Sequence, residues 1–170
     1  MKYLLLIKVF NMKLWIIYKK GIGFSKIIAE MLQDRLEDYI DVSVGNAKKN
    51  GPSLLFEERL DYLIIGDVLS KTKPSLEIQN WLIKYWKFSK SKNLNIKAIS
   101  GFYIALADIK IEPFWVGFLH DNVTAEIIYP PILRLTLNRS ELALENGAYD
   151  IVKDYSNDFI EFFINYTKKN

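Results

Sequence analysis

The sequence contains no cysteine. That excludes disulfides, thiolate metal sites, cysteine nucleophiles and iron–sulfur ligation, and it fits a reducing cytoplasm. Histidine occurs once, at His120, which leaves little for imidazole metal binding or a histidine-dependent triad. Asp121 and Asn122 follow it, so a helix end or a loop is its expected place. Long apolar runs are missing too. The N-terminal run Tyr3–Phe10 is broken by Lys8 and followed by Asn11 and Lys13. A bilayer span needs about 20 apolar residues, and no small-residue cleavage site follows, so no membrane insertion is expected. Neither sign of charge dominates: 23 Lys and Arg against 20 Asp and Glu give a net +3, too weak by itself to indicate nucleic acid. The lysines are scattered, and no arginine-rich helix or basic-aromatic platform appears. Nucleic acid is therefore not an expected partner. Repeats, low-complexity tracts and interdomain linkers are absent.

What is present is an ordinary globular composition. Half of the 170 residues are hydrophobic and a quarter charged, enough for one domain with a substantial core. Met12-Lys13-Leu14 reads like a second start that leads straight into a strand. Residues 1–11 are accordingly expected to be a mis-called extension or a loosely attached arm, and residues 12–168 the domain.

Strand and helix patterns alternate along that domain. Leu14–Tyr18 is a continuous apolar run, as in a strand covered on both faces. Ser25–Asp38 reads as an amphipathic helix, Tyr39–Val44 as an edge strand and Ser53–Arg59 as a short helix. Leu60–Asp67 reads as a buried strand ending in glycine. From Pro74-Ser75 a helix carries Ile78, Trp81, Leu82, Tyr85 and Trp86 at helical spacing. Its tryptophans are expected in the core. Ile96–Gly101 is a further internal strand. Glu112-Pro113-Phe114 is a helix start, with Phe114, Trp115, Phe118 and Leu119 as its buried face. Glu126–Leu137 is strand-like but holds Pro130-Pro131, so it is an edge strand or one broken in two. Leu144–Tyr166 contains a last helix with an apolar stripe from Ala148 to Tyr166. This alternation predicts an α/β fold: a doubly wound, five-stranded parallel sheet in the order 2-1-3-4-5, in three α/β/α layers. A ligand would lie beyond the carboxyl ends of the strands, at the switch between the first and third.

The segment at that switch is Lys20-Gly21-Ile22-Gly23-Phe24-Ser25. A tight loop between a strand and a helix start aims backbone N–H groups and the positive end of a helix dipole at one spot, which suits an anion such as phosphate. Gly21 and Gly23 allow close approach and positive φ. Ser25 can cap the helix and offer its hydroxyl. The alternative is an ordinary βα turn with a serine cap.

Over residues 12–168 the chain resembles the flavodoxin family. Gly23-Phe24-Ser25 matches the end of the family's phosphate loop S/T-x-T-G-x-T, and Ile28-Ala29-Glu30 matches the helix that follows; Lys20 and Ile22 stand where the earlier hydroxyls would be. Asp61, Ile64, Ile65, Gly66, Pro74, Ser75, Glu77, Ile78, Trp81 and Leu82 follow the family's D-x-I-I-x-G-x-P…P-S-x-E-L-x-x-F-L. Ala98-Ile99-Ser100-Gly101 resembles its fourth strand, and Leu144–Ala148 the approach to its last helix. The resemblance implies bound FMN and an electron-transfer role or a small FMN-dependent oxidoreductase. Lys20 to Ser25 would hold the phosphate, and Leu69, Ser70 and Lys71 would form the loop after the third strand. Gly101, Phe102 and Tyr103 would form the loop after the fourth. Val68–Lys73 lacks the tryptophan that often packs on the ring; Phe102 or Tyr103 could stack instead, or belong to the core. Lys19, Lys20, Lys71 and Lys73 are expected on one rim, where lysine charge would replace the missing hydroxyls or simply be solvated. No catalytic residue and no metal site is indicated. Asp67 and Asp108 are the nearest carboxylates, Asp67 as a loop or cap residue. A positive rim implies a redox partner with an acidic face. The competing reading keeps the fold without flavin, as an interaction module with a basic anion-binding cleft.

Overall fold

The computed structural model describes residues 12–21, 23–69, 73–105, 112–128, 132–138 and 140–169. The expectation for residues 1–11 lies outside them, as do those for Ile22, Ser70, Lys71 and Asp108. The elements run β1 (Lys13–Tyr18), α1 (Phe24–Leu36), β2 (Asp41–Asn46), α2 (Pro52–Glu57), β3 (Tyr62–Leu69), α3 (Leu76–Lys92), β4 (Ile96–Ala105), α4 (Glu112–Asn122), β5 (Ala125–Ile128), β6 (Leu133–Asn138), β7 (Ala143–Leu144) and α5 (Ala148–Lys169).

The sheet order is β2-β1-β3-β4-β6-β7, with β5 also on β4. This corrects the expected five strands. The fifth position is shared: β5 pairs in parallel with Ile96–Ile99 of β4, and β6 with Phe102–Ala105. The break between them coincides with Pro130 and Pro131, which lack a ladder N–H donor. The two-residue β7 adds an antiparallel edge to β6. The parallel core β2-β1-β3-β4 stands as expected.

Side chains alternate across the strands, so the sheet separates two cores. Leu14, Ile16, Tyr62, Ile64, Phe102 and Ile104 face α1 and α5. Trp15, Ile17, Leu63, Ile65, Tyr103 and Leu69 face α2, α3 and α4. Nearly all of them are fully buried, each contributing roughly 1.5–3 kcal/mol relative to exposure. Helix α5 lays Val152, Tyr155, Phe159 and Phe163 onto the first core. The Tyr155 hydroxyl donates to Ser100 Oγ on β4 at 2.7 Å, which satisfies two polar groups inside an apolar layer. On the other face Trp81 stacks on Tyr85 and donates from Nε1 to Asn50 O at 2.7 Å. Its core role matches the sequence expectation. Trp115 and Leu119 of α4 are buried as expected.

Two boundaries differ from the expectation in a way that reaches the site. Strand β3 continues past Gly66 to Leu69, and β4 past Gly101 to Ala105. The glycines are there for close approach, not for turning. A Cβ on Gly66 would lie 2.0 Å from Phe102 Cζ, and one on Gly101 would lie 2.9 Å from Ile65 O. Gly66 and Phe102 are paired across the ladder, so the phenyl ring crosses the strand where the glycine leaves room.

Candidate functional site

The carboxyl ends of β1, β3 and β4 converge with the starts of α1 and α3. Helix α1 begins at Phe24, one residue earlier than expected, on Gly23 as N-cap. Gly23 has φ +100, a left-handed conformation that glycine adopts without steric penalty. No side chain caps this helix, and no acidic residue stands in its first turn. Among the described residues, then, no side-chain cap and no first-turn acid neutralises its leading N–H groups and dipole. Among the described residues, a Cβ on Gly21 or Gly23 would meet nothing within 4 Å.

Ser25 is not the cap. Its hydroxyl is buried and donates to Lys19 O at 2.7 Å, closing the loop on itself. The Lys20 N–H is also engaged, donating to Glu77 Oε1 of α3 at 3.1 Å. The loop amide nearest α3 thus already holds an anionic oxygen of the chain itself.

The lysines separate into different environments. Lys19 Nζ lies 3.9 Å from Asp67 Oδ1 and donates to Val68 O at 3.4 Å. Lys19 and Lys73 border one cavity of about 230 Å³, with Leu69, Pro74, Ser75 and Gln79. It is below the roughly 300–1,000 Å³ of whole-ligand pockets and matches one head group or side chain. Lys20 is exposed beside it. Of the four lysines expected on one rim, Lys19 and Lys73 border the cavity together, and Lys71 lies outside the described residues.

Asp67 is the residue whose weight the sequence reading missed. It lies within β3, fully buried, rather than in a loop. It does serve the cap region: Oδ2 accepts the N–H of Ser75, the N-cap of α3, at 2.7 Å, and Oδ1 accepts the Val68 N–H at 2.8 Å. Burial pushes its carboxyl up to about 6, against the opposing pull of the Ser75 amide, Lys19, the Ser75 hydroxyl and the Val68 amide. One carboxylate thus ties the β1–α1 loop, β3 and α3 together. The signal was available: Asp67 is flanked by Ile64-Ile65-Gly66 and Val68-Leu69, and a carboxylate inside such a run is buried unless the strand stops.

The expected ring-stacking residues are corrected. Phe102 and Tyr103 lie inside β4 and are 0% and 1% exposed. Phe102 covers Gly66, while Tyr103 stacks on Trp115 at 6.4 Å. Gly101 and Leu69 are likewise strand residues and buried. None of the four lines a loop. Sequence reasoning placed them there because it ended both strands at their glycines. His120 sits exposed in the last turn of α4, 3.7 Å from Asp121, as expected of a helix-end residue. Among the described residues no cluster of His, Asp and Glu could hold a metal ion, and no helix is long and apolar enough to cross a membrane.

No protein-family model matches the chain, and no curated protein matches it. Solved structures do. A rubredoxin oxygen:oxidoreductase from Desulfovibrio gigas is 13% identical and superposes with a TM-score of 0.69 over 90% of this chain. The chain spans only 36% of that protein's length. A flavodoxin, WrbA-like protein from Agrobacterium tumefaciens is 14% identical, with a TM-score of 0.68 over 91% of this chain and 98% of the other. Flavodoxin 2 from Bacillus cereus is 14% identical, with a TM-score of 0.65 over 88% and 98%. Identities this low speak for architecture alone, and on strand order, helix placement and superposition the chain has the flavodoxin-like fold.

Proposed function

We propose that this protein binds FMN at the β1–α1 loop and works as an electron carrier or a small flavin-dependent oxidoreductase. The observation that carries the reading is the start of α1. It is an uncapped helix N-terminus, on a left-handed glycine, with no acid in its first turn, at the strand switch point of a flavodoxin-like fold. Such a terminus favours a bound phosphate by about 0.3–1 kcal/mol, and up to about 2 in partly buried geometry, before any direct hydrogen bond. Gly21, Gly23, Phe24 and Ser25 would hold the phosphate through main-chain N–H groups. Ser25 would act by fixing the loop through Lys19 O rather than by reaching the ligand. Lys20, exposed beside the loop, would add charge. Flavin, when bound, would supply the redox chemistry, and these loop residues would bind and orient its phosphate. Phe102 and Tyr103 do not fit the ring-stacking role, because both are sealed in the cores.

The competing reading, a flavin-free anion-binding module, is favoured by two observations. Glu77 holds the Lys20 N–H, and no aromatic of β4 is free to cover a ring. One experiment separates them. The purified protein is incubated with excess FMN, desalted, and its visible spectrum and melting temperature recorded. Retained flavin bands and a raised melting temperature support the redox reading. A colourless protein with an unchanged melting temperature overturns it in favour of the module.

A further inference from the structure

The two helical layers differ in charge pattern, and only helix α3 exposes a run of one sign. Helices α1 and α5, on one side of the sheet, expose Glu30, Asp34, Asp150, Asp154, Asp158 and Glu161 together with Lys26 and Lys153, a mixed surface. On the other side α3 exposes Lys84, Lys87, Lys90 and Lys92, and no acidic residue occurs from Ile78 to Asn95. This basic face runs into the site rim through Lys48 and Lys73, both exposed.

Two concavities interrupt the basic side, each bordered by a pair of lysines. The 230 Å³ cavity lies between Lys19 and Lys73. A second cleft of about 310 Å³ lies between Lys48 and Lys84, floored by Trp81 and Asn80. Glu77 borders the second. Among the described residues, Lys48, Lys73, Lys84 and Lys87 form no ion pair. Asp67 beside Lys19 and Glu77 at the second cleft offset part of this positive charge, and an incoming carboxylate neutralises more of it.

We propose that the α3 face, from Lys48 and Lys73 at the rim to Lys87, is the docking surface for an acidic protein whose side-chain carboxylates enter the two lysine-bordered clefts. Under the redox reading above, on which only the partner's role rests, this partner exchanges electrons with the flavin. Discrete concavities bordered by ammonium groups suit separate carboxylates on a protein surface, and oppositely charged faces steer association and select partners by charge. A lipid surface is disfavoured. The exposed apolar residues of α3, Leu76, Ile83 and Phe88, are separated by polar positions and form no continuous apolar stripe. Single-stranded nucleic acid is disfavoured because the rings of the helix are committed: Lys90 lies over Trp86, and Phe88 packs on Phe56.

The test uses a plant-type ferredoxin as acidic probe and mitochondrial cytochrome c as basic probe, with the protein both free of FMN and incubated with it. Binding is read by calorimetry at two ionic strengths. Ferredoxin is expected to bind, more weakly at higher salt. The double variant Lys84→Glu/Lys87→Glu is expected to weaken it about tenfold or more by opposing like charges, while Lys84→Arg/Lys87→Arg keeps it. Cytochrome c is expected to bind the glutamate variant at least as tightly as wild type, because repulsion is removed, and the arginine variant as wild type does. These positions lie away from the α1 loop, so FMN retention stays at the wild-type level and loss of docking is distinguishable from loss of flavin. Absence of ferredoxin binding, or equal binding by the glutamate variant, overturns the proposal. So does tighter association with phosphatidylserine vesicles than with ferredoxin at the same ionic strength.

Discussion

Replacing Asp67 by Asn tests the idea that a strained charge sits beneath the site. The carboxyl is fully buried, and burial raises its pKa from 3.8 to about 6. An acid with a raised folded-state pKa binds its proton more tightly in the folded chain than in the unfolded one. Its contribution to stability is therefore complete below pH 3.8 and declines as pH rises through 6. A shift of about two units at 1.36 kcal/mol each makes the ionised form cost roughly 3 kcal/mol at pH 7.5. Asn mimics the neutral acid but offers one acceptor oxygen, so it satisfies either the Val68 or the Ser75 N–H, at a loss of about 1 kcal/mol. The variant should thus be more stable than wild type by about 1–2 kcal/mol at pH 7.5. In a chain of this size that is a rise of very roughly 2–8 °C in melting temperature. Near pH 4 it should be equal or slightly less stable. Urea unfolding of both proteins at half-unit steps from pH 4 to 8 isolates the residue, because every other titrating group cancels in the difference. A difference that does not change with pH, or one that moves against the variant as pH rises, refutes the reasoning.

Gly66→Ala should destabilise by about 1–3 kcal/mol through overpacking, because its Cβ would lie 2.0 Å from a fully buried phenyl ring. Phe102→Leu in the same chain should recover part of that loss, a non-additivity readable by thermal unfolding. Gly23→Ala places a side chain at φ +100 and should lower stability by about 1–2 kcal/mol. It should also weaken FMN retention more than that loss alone explains, as measured by fluorescence titration. Ser25→Ala leaves the Lys19 carbonyl without its side-chain donor and should cost about 1–2 kcal/mol in urea unfolding.

The architecture was legible because its signals are local. The apolar run of β1, the i, i+4 spacing of α3 and the stripe of α5 each determine one element, and alternation then dictates parallel strands. What was not legible depends on contacts between distant residues. Gly66 and Gly101 read as strand ends, yet each sits where a neighbouring strand or ring approaches too closely for a Cβ. Ending the strands there placed Leu69, Phe102 and Tyr103 in loops; Phe102 and Tyr103 are sealed in the cores, while Leu69 borders the cavity from the end of β3. Asp67 likewise read as a terminator. The Ser75 amide lies eight residues on and satisfies its carboxylate, which lets the strand continue. The rim lysines were legible as a group, but the pairing of Lys19 with Asp67 and of the Lys20 amide with Glu77 needed the packing of α3 against the β1 end.

Backbone amide shifts, followed by NMR as FMN is added and compared with riboflavin, bear most directly on the claim that the α1 terminus holds a phosphate. The account predicts that FMN moves the resonances of Gly21, Gly23, Phe24 and Ser25 most, and that riboflavin, which lacks the phosphate, moves them little. Equal shifts with the two ligands, or none at these four amides, would contradict it.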